Sequence, residues 1–273
     1  MFRRAVKPSD RDPEILIDSK LDATAYVDSF GLEWQSFDGF VGKEVMSHGH
    51  LFGRFLLPRD FLAGKKVVDI GCGNGRIGRL VAPLAASYTG VDLSEALYSF
   101  PKYTQRPPAF SLVRASATDL PLEDGCADVT VCWGVLHHVD APETAFAELV
   151  RVTRPGGSIL LYVYPEVFDV RKNLNTYLRG LPLHRGKEIL DVLSDGLDEW
   201  REVDPFYADI LAGNVLLSFK HSKPWQKFQW YDGVTPRFHW SREKPVETFA
   251  ANHGLRLAMY RPGCFHLQVP EGS

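Results

Sequence analysis

Three observations predict an α/β doubly wound fold with a mainly parallel sheet. Between residues 66 and 164, short apolar runs alternate with amphipathic stretches of helical period, as chained βαβ units require. The run Val67-Val68-Asp69-Ile70 passes directly into alternate glycines, Gly71-Cys72-Gly73-Asn74-Gly75, and then into Ile77, Leu80, Val81 and Leu84. That reads as strand, tight turn and helix. A second strand ends on an acid, Asp92, about twenty residues beyond the turn, where α/β nucleoside sites place one.

The elements follow in order. Residues 1–20 are polar, contain Pro8 and Pro13, and read as a loose arm. From Leu21 to Leu57 the spacing is helical but broken by Gly31, Gly39 and Gly42, and it carries Tyr26, Phe30, Trp34, Phe37, Phe40, His48 and His50. This is too aromatic for a solvated linker. Residues 1–57 are therefore read as an arm and an aromatic helical cap, the cap serving either a ligand or ordinary core packing. A core over 58–164 comes next. Lys66–Ile70 is its first strand, Gly75–Ser87 its first helix and Tyr88–Asp92 its second strand, with Ser94 placed to cap the next helix. Phe110–Ala115 is the third strand. Ala127–Trp133, a near-continuous apolar run suited to burial on both faces, is the fourth. Ala141–Val152 is a helix opening on Pro142 and Glu143. Arg154-Pro155-Gly156-Gly157 turns into the fifth strand, Ser158–Tyr164. Alternation then stops. Residues 165–236 keep helical spacing (Ile189, Val192, Leu193, Leu197, Trp200) without a clear strand, and read as a helical insertion. Residues 237–273 complete the sheet, with Lys244–His253 as helix and Leu255–Arg261 and Cys264–Val269 as strands.

Composition narrows the functional classes. Lysine and arginine number 31 against 34 acids, a net charge of −3, which leaves no electrostatic footprint for nucleic acid. No apolar run approaches a membrane span of roughly 20 residues, and the start, Met1-Phe2-Arg3-Arg4, has no apolar core behind it, so a cytoplasmic location is expected. Cys72, Cys126, Cys132 and Cys264 show no CxxC pairing and no metal-ligand spacing.

The chemistry centres on the glycine turn. Alternate glycines permit positive φ and bring backbone close to a ligand, and the following helix offers unpaired N–H groups. Gly73-x-Gly75-x-x-Gly78 also satisfies a dinucleotide pattern, so the glycines alone leave NAD or FAD open. Asp69 argues otherwise. An acid there would repel a passing pyrophosphate but suits a ligand carrying an ammonium group. Asp92 can accept from ribose hydroxyls and serves either kind of nucleoside. His137 and His138 follow the fourth strand at the carboxyl edge of the sheet, where such folds bind ligands. A neutral imidazole there can act as general base, or can simply bond the loop backbone. His239 is a second candidate.

Gly71-x-Gly73-x-Gly75 after Asp69 resembles motif I of class I S-adenosylmethionine-dependent methyltransferases. The downstream series runs Ser116-Ala117-Thr118-Asp119-Leu120-Pro121, then Asp128-Val129-Thr130-Val131-Cys132-Trp133, then Gly134-Val135-Leu136-His137-His138-Val139, then Arg151-Val152-x-Arg154-Pro155-Gly156-Gly157. It resembles the methyltransferase type 11 group, which includes ubiquinone and menaquinone biosynthesis C-methyltransferases. Residues 230–240 resemble a late segment of that group. The resemblance implies a Rossmann-like, mainly parallel seven-stranded sheet with helices on both faces, S-adenosylmethionine as cofactor and a small-molecule acceptor. It implies that Asp69 and the backbone of Gly71, Cys72, Gly73, Asn74 and Gly75 hold the methionine end. Asp92 would take the ribose, Leu93 the adenine face, Ser116 and Ala117 the adenine edge, and Trp133 and Gly134 the reaction side. Relatives usually carry Asp where Ser116 stands, so charge assistance to the adenine amino group is missing here.

Acceptor recognition is expected from the insertion and its flank. Trp225, Phe228, Trp230, Tyr231, Phe238 and Trp240 could enclose a flat or apolar acceptor, and Lys220, His221, Lys223, Lys227 and Arg237 lie among them. His137, Trp230, Tyr231 and Arg237 are the candidate acceptor contacts, and His138 and His239 the candidate catalytic residues. The competing readings are an RNA methyltransferase, an NAD-dependent oxidoreductase and a non-catalytic S-adenosylmethionine-binding protein.

Overall fold

The computed structural model describes residues 1–21, 48–58, 60–100, 105–163, 184–185, 188, 192, 244–261 and 263–271. The chain divides into two compact units. One comprises Met1–Trp34, Gly42–Glu166 and Arg237–Ser273; the other comprises Gln35–Val41 and Val167–Pro236. Of the second, few residues are described, among them Arg185, paired with Glu188 at 2.6 Å.

In the first unit the described strands are β1 (Val6–Pro8), β2 (Ile15–Asp18), β3 (Lys66–Ile70), β4 (Ser87–Asp92), β5 (Ala109–Arg114), β6 (Ala127–Trp133), β7 (Thr153–Tyr162), β8 (Arg256–Arg261) and β9 (Cys264–Gln268). They form one sheet in the order β1-β2-β5-β4-β3-β6-β7-β9-β8. Strands β2 to β7 run parallel to one another, whereas β1 and β9 run antiparallel to their neighbours. The order reverses at β3. Chain leaving β3 and β4 turns one way and chain leaving β6 the other, so a crevice opens at the carboxyl ends of these strands.

Alternation along the strands sorts side chains onto two layers. Val68, Ile70, Val91, Val113, Cys132, Ile159 and Leu161 face helices α3 (Pro142–Val152) and α4 (Lys244–Asn252), which contribute Phe146, Leu149, Val152, Val246 and Phe249. Val67, Tyr88, Leu112, Val129, Val131 and Leu160 face α1 (His48–Phe55) and α2 (Gly78–Val81), through Leu51, Phe52, Phe55, Leu80 and Val81. As the Pro142 pattern predicts, α3 opens on a proline at its first turn. The first helix is shorter than predicted: α2 ends at Val81 and passes into a 3-10 turn, Ala82–Leu84. Pro83 lacks the N–H that would continue the helix. Ser94 does cap the element after β4, accepting from the Ala96 N–H at 3.3 Å, but that element is a 3-10 turn, Glu95–Ser99.

The reading of residues 1–20 as a loose arm is corrected. β2 adds to β5 in register Ile15↔Leu112 and Leu16↔Val113, and β1 closes the sheet beyond it. Two strands thus extend the seven that were expected. The physical reason is the edge of β5, whose backbone groups would otherwise stay unpaired, together with Ile15, which is 2% exposed. Pro8 and Lys7 sit on the outermost strand, where a missing donor and a charge both discourage further pairing. Ion pairs hold the addition. Arg4 pairs with the buried Asp18 and, at 2.6 Å, with Asp119. Arg3 and Lys20 reach Asp119 at 2.7 and 3.3 Å.

Burial alone would raise the Asp18 carboxyl, but the hydrogen bonds from Arg4 and the Lys20 N–H hold it below the ordinary value of 3.8. Its contribution is present above that value and is lost as pH falls below it. Arg4→Ala strands the Asp18 carboxylate, and at pH 7 should cost roughly 3 kcal/mol, the usual effect of halving a buried pair. Denaturant unfolding at pH 7 and pH 3 checks this, with the gap between variant and wild type closing at the lower pH.

Candidate active site

The crevice is built around the turn that leaves β3. Gly71, Gly73 and Gly75 have φ of 73°, 53° and 82°, a region that side chains strain to enter. Packing closes the same positions. A Cβ on Gly71 would overlap the Val135 methyls, and one on Gly75 would lie 2.5 Å from the Phe100 ring. The turn is therefore pressed between the segment after β6 and the segment after β4. Cys72 and Asn74 are buried within it. The Cys72 sulfur sits against Gly90, so Cys72 offers a ligand only its backbone.

Asp92 ends β4 and fixes the turn to it. Its Oδ2 accepts the Gly73 N–H at 2.7 Å, and its Oδ1 accepts the Ser94 N–H at 2.8 Å and the Ser94 hydroxyl at 2.7 Å. Burial raises its carboxyl above the ordinary value against these three bonds and Arg114. A carboxylate offers about four lone-pair sites, and three are taken. Oδ2 thus has room for one further donor, which fits one ribose hydroxyl and not two. Leu93 beside it is half-buried. Ser116 and Ala117, after β5, are half-buried as well; the Ser116 hydroxyl is paired with that of Thr118 at 2.8 Å and accepts the Thr118 N–H at 3.2 Å.

Asp69 lies deeper than its sequence position suggests. It is 1% exposed, on the α2 side of the sheet, and accepts from the Tyr88 hydroxyl at 2.8 Å. Burial pushes its carboxyl up to about 7, and nearby Asp92 adds to the rise, while Tyr88 and Arg76 oppose it. Tyr88 itself is pushed up, first by burial and then by the charge of Asp69. Tyr88 was absent from the sequence candidates. One signal existed: a tyrosine in a buried strand beside a strand that carries an acid needing a donor.

On the other side of the turn, β6 ends at Trp133 and is followed by Gly134 (φ 74°) and a 3-10 turn, Leu136–His138. Trp133 is 7% exposed, stacked on Tyr162 at 4.6 Å and met edge-on by Phe55 at 5.9 Å, with the Arg54 guanidinium 5.8 Å from its ring. It ends β6 and is locked into the core. His137 and His138 are 3% and 6% exposed, with ring centroids 4.2 Å apart. The His138 N–H donates to the Val135 carbonyl at 2.8 Å. Val135 is the residue against Gly71, so the histidine turn abuts the glycine turn directly. Trp230, Tyr231, Arg237 and His239 lie outside the described residues.

The raised Asp69 carboxyl sets a pH dependence. A group whose folded value is above its unfolded one stabilises the fold at low pH, and that contribution is lost as pH rises through about 7. Asp69→Asn keeps an acceptor for Tyr88 without the charge. The melting temperature of Asp69→Asn should exceed that of wild type at pH 8 and approach it at pH 5. Equal melting temperatures at pH 8 would show that the carboxylate is not penalised.

Residues 68–161 match the family model described as a methyltransferase domain. Among curated proteins, a ubiquinone biosynthesis O-methyltransferase of Cupriavidus pinatubonensis is 34% identical over 145 residues, covering 52% of this chain and 55% of its own length. A phthiotriol/phenolphthiotriol dimycocerosates methyltransferase of Mycobacterium tuberculosis is 36% identical over 115 residues, covering 41% of this chain and 42% of its own. The chain spans about half the length of the curated relatives it matches. A crystal structure of a SAM-dependent methyltransferase from Aquifex aeolicus aligns over 87% of this chain and 96% of its own, at 13% identity and a TM-score of 0.49. The glycine turn and Asp92 both lie inside residues 68–161, the segment that is similar to a methyltransferase domain.

Proposed function

We propose that this chain transfers the methyl group of S-adenosylmethionine to a small aromatic or apolar acceptor. The observation that carries the reading is the Asp92 carboxylate, bonded to the Gly73 N–H across the crevice with one acceptor site left open. That arrangement presents backbone and a single carboxylate acceptor side by side, as a nucleoside with a flexible charged tail requires. The two named relatives act, by their names, in ubiquinone biosynthesis and on phthiotriol-type lipids, which supports a small acceptor of apolar character.

In this reading the backbone of residues 71–75 and Asp69 hold the methionine end. Asp69 acts from beneath the turn, where an ammonium group would favour its ionised form. Asp92 takes a ribose hydroxyl, Leu93 the adenine face, and Ser116 and Ala117 the adenine edge. Trp133 and Gly134 wall the reaction side. The bound cofactor supplies a methyl group already activated on a sulfonium. The residues therefore have to align the acceptor in line with that methyl and keep water out. His138 removes the acceptor proton where the acceptor is a hydroxyl or enol, with His137 beside it. The insertion, residues 165–236, with its Trp230 and Tyr231, and the flanking Arg237 select the acceptor, and His239 is the second candidate base. That assignment rests on the break in strand-helix alternation and on the aromatic residues of the segment. An RNA acceptor is disfavoured by the net charge of −3.

S-adenosylhomocysteine should raise the melting temperature of the chain, as a ligand selective for the native state must, and NAD should not. Asp92→Ala should weaken S-adenosylhomocysteine binding by roughly 2 kcal/mol, the loss of one charge-assisted bond with its donor left unpaired. Thermal melts check the first and calorimetric titration the second, and a shift with NAD alone would sink the reading.

His138→Gln should lower turnover by on the order of a hundredfold, the scale of general acid–base catalysis, while leaving cofactor affinity unchanged. Turnover equal to wild type would remove His138 from the mechanism and leave either His239 as the base or an acceptor that arrives already deprotonated.

A further inference from the structure

The N-terminal strand pair touches both loops that the proposed site gives to the nucleoside. The connection between β1 and β2 carries Ser9, which is 5% exposed and shares a hydrogen bond with the Tyr98 hydroxyl at 2.7 Å. Arg11 donates to Glu95 at 3.0 Å and lies 4.2 Å from the centre of the Tyr98 ring. Glu95 is also 3.5 Å from Arg114, and Arg114 donates to the Leu93 carbonyl at 3.1 Å. The turn Glu95–Ser99, which continues directly from Asp92, Leu93 and Ser94, is therefore gripped from outside by two residues near the start of the chain.

The loop after β5 is gripped in the same way. Arg4 donates to the Asp119 side chain and to its carbonyl, both at 2.6 Å, and Arg3 donates to the Leu120 carbonyl at 2.9 Å. The Arg3 N–H donates to the Pro121 carbonyl at 2.8 Å. These bonds close the segment that begins at Ser116. Both loops stand at the β5 side of the sheet, and β2 pairs with β5 as far as Arg114, the residue that reaches Leu93. Without the strand pair, the loop after β5 would hang from an open sheet edge and the turn after β4 would lose its outer contacts.

We propose that β1 and β2 form a working part of the cofactor site, with Ser9, Arg11 and Arg4 as positioning residues that hold the loops after β4 and β5 in the form that accepts the nucleoside. The inference rests on the cofactor assignment proposed above. None of the three residues needs to touch the ligand. A loop that is correctly formed in only a fraction of molecules lowers apparent affinity by that fraction, so interactions that hold it shut register as affinity for the nucleoside half.

The test uses the full chain and two probes. S-adenosylhomocysteine carries both halves of the ligand, and 5′-methylthioadenosine carries the nucleoside without the amino acid. For Ser9→Ala/Arg11→Met, the dissociation constants of both probes should rise together by about tenfold, the scale of removing two or three weak interactions at once. The ligand-free melting temperature should stay near that of wild type, and Ser9→Thr/Arg11→Lys should recover most of the affinity. Unchanged affinity in the double variant overturns the proposal. So does a loss confined to S-adenosylhomocysteine, because the effect would then lie at the amino-acid end. If the double variant melts early, Arg11→Met alone decides, on a side chain that is half-exposed: about a threefold loss for both probes supports the proposal and wild-type affinity ends it. Wild-type protein that binds neither probe overturns the cofactor assignment itself, and the proposal with it.

Discussion

The hydrogen bond from the Gly73 N–H to the Asp92 carboxylate ties together the ends of two adjacent parallel strands at the point where the sheet reverses its order. Much around it depends on that bond. The N–H is available only because Gly71, Gly73 and Gly75 take positive φ within one short turn. Those glycines in turn let Val135 and Phe100 close over the turn from either side. The carboxylate is oriented by Ser94, whose own hydroxyl caps the next turn. Strand ends, turn and caps thus form one connected set. A donor arriving in the crevice meets a carboxylate already held in place, so little ordering remains to be done on binding.

Two kinds of acid occur along this sheet, and they are handled oppositely. At Asp18 and Asp119 burial raises the carboxyl, but Arg4 and Lys20 together outweigh it and hold both low. Asp69 accepts from the Tyr88 hydroxyl, and burial outweighs both that bond and the charge of Arg76. The first arrangement fastens an edge to a domain. The second stores a poorly compensated charge beneath the glycine turn, in the place where the proposed ligand carries an ammonium group. Such local disagreements with the rules of stable packing are expected at functional sites.

The division of labour proposed for the chain follows from the same geometry. In that proposal the segment from β3 to β7 binds a ligand of fixed shape, and the packing there is tight: Tyr88, Val131, Leu161 and Phe146 have no exposed surface. The relatives differ in what their names give, ubiquinone biosynthesis for one and phthiotriol/phenolphthiotriol dimycocerosates for the other. Variation of that kind is easier to place in an inserted segment than in a sheet, where each side chain has fixed neighbours on both layers.

The sequence by itself determined the central sheet, the glycine turn and the position of Asp92, because each is a local pattern. Apolar runs of strand length, glycine at alternate places and an acid at a strand end declare themselves within a few residues. The burial of Asp69 did not, since its partner Tyr88 comes from the next strand and only register brings the two together. Nor did the strand pair β1–β2. Val6–Pro8 and Ile15–Asp18 are too short to read as strands, and β2 finds its parallel partner in β5, far along the chain. The first helix was overestimated because its apolar spacing continues through Leu84, whereas Pro83 cuts it short. Tertiary structure decided what pairing over long sequence distances must decide: which edge is covered, which acid is compensated and which loops are braced.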